Sequence, residues 1–279
     1  MSSPFLSHSL STGSTLVCFI FATVLGLTGL LTRSISLQKA ACVAALLGFL
    51  CQTLALALGF HKSFGGGLSG GAYLQLLAWF TAFSALFLWL KMKQRAAIVF
   101  AAPLCAAFFA MSLPYMERAI VLPAPLNASF YFLHMGTLFI ALALMAIAFI
   151  VSALFLILER HIKTKQKVKG FLQDMPALSA LDAINGFCIK ISFPLYTIGI
   201  LSGLFRSKLV YGATFSGDPM EVLSLIIWAL LAFVFHNRLA SSWTGRKPAL
   251  TMISIFLLSL FSLFVINTFM HSHHTFLIN

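Results

Sequence analysis

Two carboxylates three residues apart, Asp218 and Glu221, lie where a short glycine-containing segment gives way to a long apolar run. The whole stretch, from Tyr211 to His236, reads YGATFSGDPMEVLSLIIWALLAFVFH. Acidic residues are scarce, with only six in the chain, so this pair needs a reason. Paired carboxylates could perform acid–base chemistry. Alternatively, Asp218 caps a helix whose first turn contains Pro219 and Glu221, where negative charge favours the helix dipole.

Histidines are the second group that could do chemistry, and several lie at the ends of apolar runs. His134 lies near the start of one run and His236 closes another. His271 and His273 follow the last run. Two neutral imidazoles that face each other could bind a metal ion or the iron of a bis-histidine haem. Zinc would also accept imidazole, with nearby carboxylates completing a tetrahedral set.

Aromatic residues accompany these histidines and favour a flat ligand over a bare ion. They are Phe130, Tyr131, Phe132, Tyr211 and Phe215. Aromatic rings offer faces against which a porphyrin can stack. The chain has no GxSxG, HExxH or P-loop motif, so its motifs give no support to a serine hydrolase, a zinc peptidase or a P-loop nucleotide hydrolase.

The composition shows which elements must position these residues. The chain of 279 residues is 60% hydrophobic and only 9% charged. A soluble domain could not cover such a composition with polar surface, whereas helices of about 20 apolar residues span a bilayer. The sequence predicts an all-α, polytopic membrane bundle forming one domain over residues 1–279, without the alternation typical of a β-barrel. Its eight expected spans lie near 14–31, 39–60, 72–90, 96–113, 131–157, 182–204, 221–239 and 249–270.

The Lys and Arg residues behind the net charge of +12 are unevenly distributed among the loops, and this distribution predicts the orientation of the bundle. Thirteen of the eighteen Lys and Arg residues fall in alternate loops, near 32–38, 91–95, 158–181 and 240–248 and at the helix ends beside them. Four fall in the other set of loops, and Lys190 lies within a helix. By the positive-inside rule the first set is cytoplasmic and both termini are outside. The basic charge therefore points to a lipid bilayer as the partner, and not to nucleic acid.

Cysteine usage argues against a redox or covalent haem centre on this chain. All five cysteines lie in apolar runs, and no CxxC or CxxCH motif is present. They are expected to pack as small apolar residues. Residues 1–13 carry no Lys or Arg, so the first apolar run is expected to be a retained helix and not a secretory leader.

Three segments resemble the cytochrome c assembly protein family, which includes the CcsA/ResC haem-handling proteins and their relatives HemX and YpjD. The family's outer loop, WGxxWxWDPKE, is matched by YGATFSGDPME, with Tyr211, Phe215 and Gly217 in place of the three tryptophans. The family's WRGRRAA…NLLGxGLHS ending is similar to WTGRKPALTMISIFLLSLFSLFVINTFMHSH. The segment that starts HMGTLFIALA resembles the helix that begins with the family's first external histidine.

The resemblance implies a role for each site residue. His134 matches the first external haem ligand and His271 the second, with His273 as a neighbouring candidate, so these residues would hold the iron of non-covalent haem b. His236 is similar to the histidine of an inner, membrane-embedded haem site. Asp218 and Glu221 would frame a loop that carries the aromatic rings.

The resemblance also implies a function and a location. The chain is expected to handle haem in cytochrome c biogenesis, as a multi-pass protein of the bacterial inner membrane that presents haem at the outer face. Its partners would be apocytochrome c or a second assembly subunit of the CcsB/ResB type. It is not expected to be an enzyme by itself, although it could be a subunit of a haem-attachment system. The alternative is a HemX/YpjD-like membrane regulator or scaffold that transfers no haem.

Overall fold

Eight helices account for nearly all of the chain in the computed structural model, which describes residues 3–62, 68–92, 95–115, 119–120, 125–165, 175–215 and 217–263. They are α1 (Ser3–Leu31), α2 (Ile35–Lys62), α3 (Gly70–Met92), α4 (Arg95–Ser112), α5 (Pro125–Lys163), α6 (Leu178–Tyr211), α7 (Pro219–Ala240) and α8 (Arg246–Phe261). A 3₁₀ turn, Leu113–Tyr115, follows α4. Two short strands, β1 (Leu68–Ser69) and β2 (Ala119–Ile120), pair antiparallel. The predicted all-α bundle is confirmed.

Within the residues that the structure describes, five helices are long and apolar enough to cross a membrane. The spans are Thr12–Leu31, Ile35–Ala57, Leu133–Lys163, Leu178–Leu209 and Pro219–Ala240. Helices α3 and α4 contribute shorter apolar stretches, Leu74–Leu90 and Ala97–Ser112. Large apolar side chains such as Phe21, Leu54 and Phe205 are exposed along the helices, which suits contact with lipid and not with water.

Helix α5 begins at Pro125, earlier than the start near residue 131 that hydropathy indicates. Proline suits the first position of a helix because its φ is already fixed and its missing N–H would have no partner there. Hydropathy marks mainly the part of a helix that crosses lipid, so it indicates a start later than Pro125 for α5. His134 lies nine residues beyond Pro125 and therefore inside the helix.

The chain divides into two compact units, each with its own core. The first contains residues 1–121 and 158–177, and therefore α1 to α4. Helices α1 and α2 form a hairpin that turns at Arg33, which has a positive φ of 57°. A buried cluster of Phe19, Ala82 and Cys105 joins α1, α3 and α4. The single membrane domain predicted from the sequence stays a prediction.

The second unit contains residues 122–157 and 178–279, and therefore most of α5 together with α6, α7 and α8. Its buried core includes Met145, Ile189 and Leu231, one from each of the first three of these helices. Phe149 of α5 packs against Phe256 of α8 with ring centroids 4.9 Å apart. Every described residue that the sequence singles out for chemistry belongs to this unit.

Candidate functional site

His134 is the best-defined of the predicted site residues. It lies half-buried on α5 and faces the backbone of α6. Its ring Nδ1 is 2.6 Å from the carbonyl oxygen of Gly199. A carbonyl oxygen can only accept a hydrogen bond, so Nδ1 carries the proton. In the neutral ring the lone pair then lies on Nε2, which is the nitrogen that a metal would take.

Two glycines on α6 let the imidazole approach this closely. A Cβ atom on Gly203 would lie 2.6 Å from Cε1 and 2.7 Å from Nδ1 of His134. A Cβ atom on Gly199 would lie 2.6 Å from Cδ2 of Leu138 and 3.0 Å from Oγ1 of Thr137. Contacts below 3.0 Å are essentially never seen for a real Cβ atom, so both positions require glycine for this packing. We call Gly199 and Gly203 the glycine groove.

The segment between α6 and α7 is the predicted aromatic loop. Gly212 and Gly217 both have a φ of 74°, a left-handed conformation that glycine adopts without strain. The Ser207 hydroxyl donates to the Ala213 carbonyl over 3.0 Å and fastens the loop to the last turns of α6. Phe215 is 49% exposed at the surface of this loop.

Asp218 ends the loop and caps α7. The residue is 6% exposed, and its Oδ1 accepts a hydrogen bond from the Met220 amide over 2.8 Å. Pro219 occupies the first position of the helix and Glu221 lies in the first turn, as the sequence predicted. Capping of the helix therefore explains the acidic pair, and acid–base chemistry is not needed to account for it.

The remaining predicted site residues are not brought beside His134 by the described structure. Tyr211 is the last residue of α6, but its side chain, like all of His271 and His273, lies outside the described residues. His236 is exposed near the end of α7, about 27 Å along that helix from Asp218. His134, Asp218 and Glu221 form no metal-binding group of three, since none occurs among the residues that the structure describes.

A charged cluster that the sequence analysis missed lies at the other end of the same unit. The two carboxylate oxygens of Asp182 accept from Nη1 and Nη2 of Arg238 over 2.9 and 2.8 Å. The Gly245 amide, at the start of α8, donates to Asp182 Oδ1 over 2.8 Å. Asn185 accepts from Arg238 over 2.9 Å and donates to Ser152 of α5 over 2.6 Å.

This group, the Asp182 cluster, joins α5, α6, α7 and the start of α8. Only 6% of the Arg238 side chain and 17% of the Asp182 side chain are exposed. Asp182 precedes Gly199 by about 25 Å along α6, so the Asp182 cluster and the glycine groove lie toward opposite ends of the helix. The sequence did contain a signal for this cluster, namely the scarcity of acidic residues. The chain has only six, and a carboxylate inside an apolar helix requires a partner.

Comparisons with known proteins place this architecture in a family. The family described as Cytochrome C assembly protein matches residues 14–274. The protein named Cytochrome c biogenesis protein CcsA from Chlamydomonas reinhardtii is 33% identical over 172 residues, which are 61% of this chain and 47% of that protein. The CcsA protein of Guillardia theta is 27% identical over 194 residues, 63% of this chain and 64% of that protein.

A shorter stretch is more closely related. The CcsA protein of Thermosynechococcus vestitus is 40% identical over 79 residues, 28% of this chain and 25% of that protein. In the relatives cited first, the match spans roughly half to two thirds of the relative's own length.

Among solved structures, the protein named Cytochrome c Heme Lyase CcmF shares the fold with a TM-score of 0.64. The likeness covers 98% of this chain and 48% of that one at 15% identity, which is evidence for the fold alone. The match over residues 14–274 includes α2 to α8 in full, together with the glycine groove and the aromatic loop. The chain belongs to the cytochrome c assembly protein family.

Proposed function

We propose that this membrane protein handles haem in cytochrome c biogenesis, binding haem b non-covalently at the outer face and presenting it to apocytochrome c. The observation that carries the proposal is the orientation of His134, whose Nδ1–H donates a hydrogen bond to the Gly199 carbonyl over 2.6 Å. A histidine that ligates iron commonly donates its other ring N–H to a carbonyl or carboxylate, which fixes the tautomer and the ring plane. His134, on α5, has this arrangement with the Gly199 carbonyl of α6.

The second axial ligand in this proposal is His271, with His273 as the neighbouring candidate. Both follow α8, whose last residue is Phe261, and both lie outside the described residues. The resemblance to the family supports His271, because this residue matches the family's second external histidine. Two imidazoles would hold the iron from opposite sides.

The aromatic loop would cover one face of the porphyrin. Phe215 offers an exposed ring, and Tyr211 stands at the point where α6 ends. The cap at Asp218 and the first-turn Glu221 fix the start of α7, so they act as the frame of the loop while the histidines hold the iron. This proposal gives the carboxylates a positioning role.

Positive charge at the same end of α6 suits a haem ligand. Arg206 is half-buried one turn beyond Gly203, and the exposed Lys208 follows it. The two propionates of haem are negative at neutral pH, and partly buried charges attract each other more strongly than exposed ones. Bound haem would supply the vinyl groups that react with an apocytochrome. The chain's own residues would bind and orient the haem.

The direction of transfer follows from the expected topology. The positive-inside distribution supports an outer location for His134 and a cytoplasmic location for the Asp182 cluster. We propose a bacterial inner membrane as the site of action and a CcsB/ResB-like subunit as the partner. His236, near the end of α7, would serve an inner haem site near the cytoplasmic end.

A reduced absorption spectrum of the purified protein tests the proposal. The protein is produced in haem-replete cells, together with His134→Ala and His271→Ala. A low-spin bis-imidazole signal that both variants lose is the expected result. A colourless wild-type protein would contradict haem binding and favour the HemX/YpjD-like regulator, whereas variants with unchanged spectra would contradict ligation by His134 and His271. Deletion of the gene provides a second arm, since normal c-type cytochrome levels would argue against a role in cytochrome c assembly.

A further inference from the structure

The glycine groove receives three side chains of α5 in a row. His134 lies over Gly203, whereas Thr137 and Leu138 lie over Gly199. Small residues four apart on a membrane helix commonly allow a neighbouring helix to approach closely. Here one of the side chains that fills the groove is an imidazole whose Nδ1 reaches a backbone carbonyl. The groove therefore does more than bring two helices together.

We propose that the glycine groove is a positioning site that locks His134 as the Nδ1–H tautomer and so presents Nε2 to a ligand. The tautomer follows from the geometry alone, whereas its use for haem rests on the proposed function. Gly203 is the positioning residue, because its missing Cβ is what leaves room for the ring edge formed by Cε1 and Nδ1.

The Nδ1–H tautomer of His134 depends on a backbone carbonyl of α6 that can accept a hydrogen bond from a side chain. The Gly199 oxygen also accepts from the Ser202 hydroxyl over 2.9 Å, and Ser202 is 4% exposed. That carbonyl lies inside α6, where the Gly203 amide is its helical donor, so the two side chains share an acceptor that already takes part in the helix. Gly199 and Ser202 are buried and His134 is half-buried, so the loss of either bond is costly. His134 is thus held by a partner that solvent does not readily replace.

Substitution of Gly203 by alanine should disturb the position of the His134 ring without weakening helix α6. A Cβ atom there is attached to the helix backbone and cannot move away, so the ring of His134 must move instead. That movement breaks the bond to Gly199. Alanine favours helix over glycine by about 1 kcal/mol, so α6 itself is not weakened. Gly136→Ala is the matched control, since a Cβ at Gly136, two residues from His134, has no atom within 4 Å.

The haem-free protein gives the first readout. Histidine-selective ¹⁵N labelling and long-range ¹H–¹⁵N spectra of the full chain in detergent report the ring tautomer, with His134→Gln identifying the signal. Wild type and Gly136→Ala are expected to show Nδ1–H, and Gly203→Ala to lose it. A wild-type Nε2–H tautomer would overturn the proposal even if the variant fails to fold. An unchanged tautomer in Gly203→Ala would overturn the role of the groove.

Haem binding gives the second readout, by titration of haem b into the same proteins. Gly203→Ala is expected to bind about 10–100-fold more weakly than Gly136→Ala, the loss typical of a disrupted outer-shell partner of a metal ligand. Equal affinity in the two variants, with the tautomer changed, would overturn the positioning role. Equal affinity of His134→Ala and wild type would instead overturn the proposed function and leave the tautomer lock standing.

Discussion

Removal of the Asp182 carboxylate should destabilise the second unit because it leaves the buried guanidinium of Arg238 without its counter-ion. Asp182→Ala removes three hydrogen bonds, two from Arg238 and one from the Gly245 amide. Arg238 would keep two weaker partners on Nη2, the backbone carbonyl of residue 182 at 3.2 Å and the Asn185 side-chain oxygen at 2.9 Å. The charge itself would have no counter-ion among these partners.

The size of the stability loss follows from the burial of the ion pair and from the hydrogen-bond acceptors that Arg238 retains. Breaking a buried ion pair by removing one partner costs about 3–5 kcal/mol. The lower end applies here, since Asp182 is 17% exposed and Arg238 retains two acceptors. A loss of about 3 kcal/mol corresponds to a melting temperature lowered by roughly 6–12 °C in a chain of this size.

A single buried thiol gives a readout within the same unit. Cys188 is fully buried on α6, so it reacts with a fluorogenic maleimide only when the unit opens. The other four cysteines are replaced by alanine, because Cys18 and Cys51 are only partly buried and would add background. The temperature at which Cys188 becomes reactive is then compared in wild type, Asp182→Ala and Asp182→Asn. The asparagine variant keeps one acceptor oxygen and should lose less.

The double variant Asp182→Ala/Arg238→Met is the sharpest control. It removes both charges and should recover part of the lost stability, since replacing a buried ion pair by apolar side chains is often neutral. The reasoning is refuted if Asp182→Ala melts within 2 °C, about the shift expected for 1 kcal/mol, of the parent. It is also refuted if the double variant is no more stable than Asp182→Ala.

Two further predictions concern α7. Asp218→Ala should cost about 0.5–2 kcal/mol by removing the cap on the Met220 amide, whereas Asp218→Asn retains an acceptor and should be nearly neutral in thermal unfolding; equal losses in both variants would exclude capping as the reason. Trp228→Phe should cost about 1 kcal/mol, because the indole donates to the Thr197 hydroxyl over 3.0 Å, and unchanged stability would show that this bond contributes nothing.

Composition and spacing were enough to predict most of the fold. Apolar runs located the helices, because lipid requires every backbone polar group to be satisfied within a helix. The helix ends were less predictable, as the start of α5 at Pro125 illustrates. The cap at Asp218 was predictable because its signals are local, namely an acidic residue, a proline and a second acidic residue within four positions.

The site was predictable in its residue types but not in its supporting contacts. His134 could be selected as a candidate ligand, yet nothing near it in sequence indicated that Gly199, 65 residues later, would receive its ring. Asp182 and Arg238 are 56 residues apart, and the sequence marks Arg238 only as one of thirteen basic residues near the expected cytoplasmic ends of the helices. Such pairings depend on helix rotation and packing, which hydropathy does not report.

Imidazole rescue of His134→Gly tests the central claim, ligation at the outer face, most directly. The substitution removes a ring packed against Gly203 and the Gly199 carbonyl, and so leaves space of imidazole's own shape beside an acceptor for its N–H. The account predicts that purified His134→Gly loses the low-spin bis-imidazole spectrum and regains it when free imidazole is added together with haem b. A low-spin spectrum without imidazole, or no recovery in a protein that unfolds at the wild-type temperature, would contradict ligation by His134.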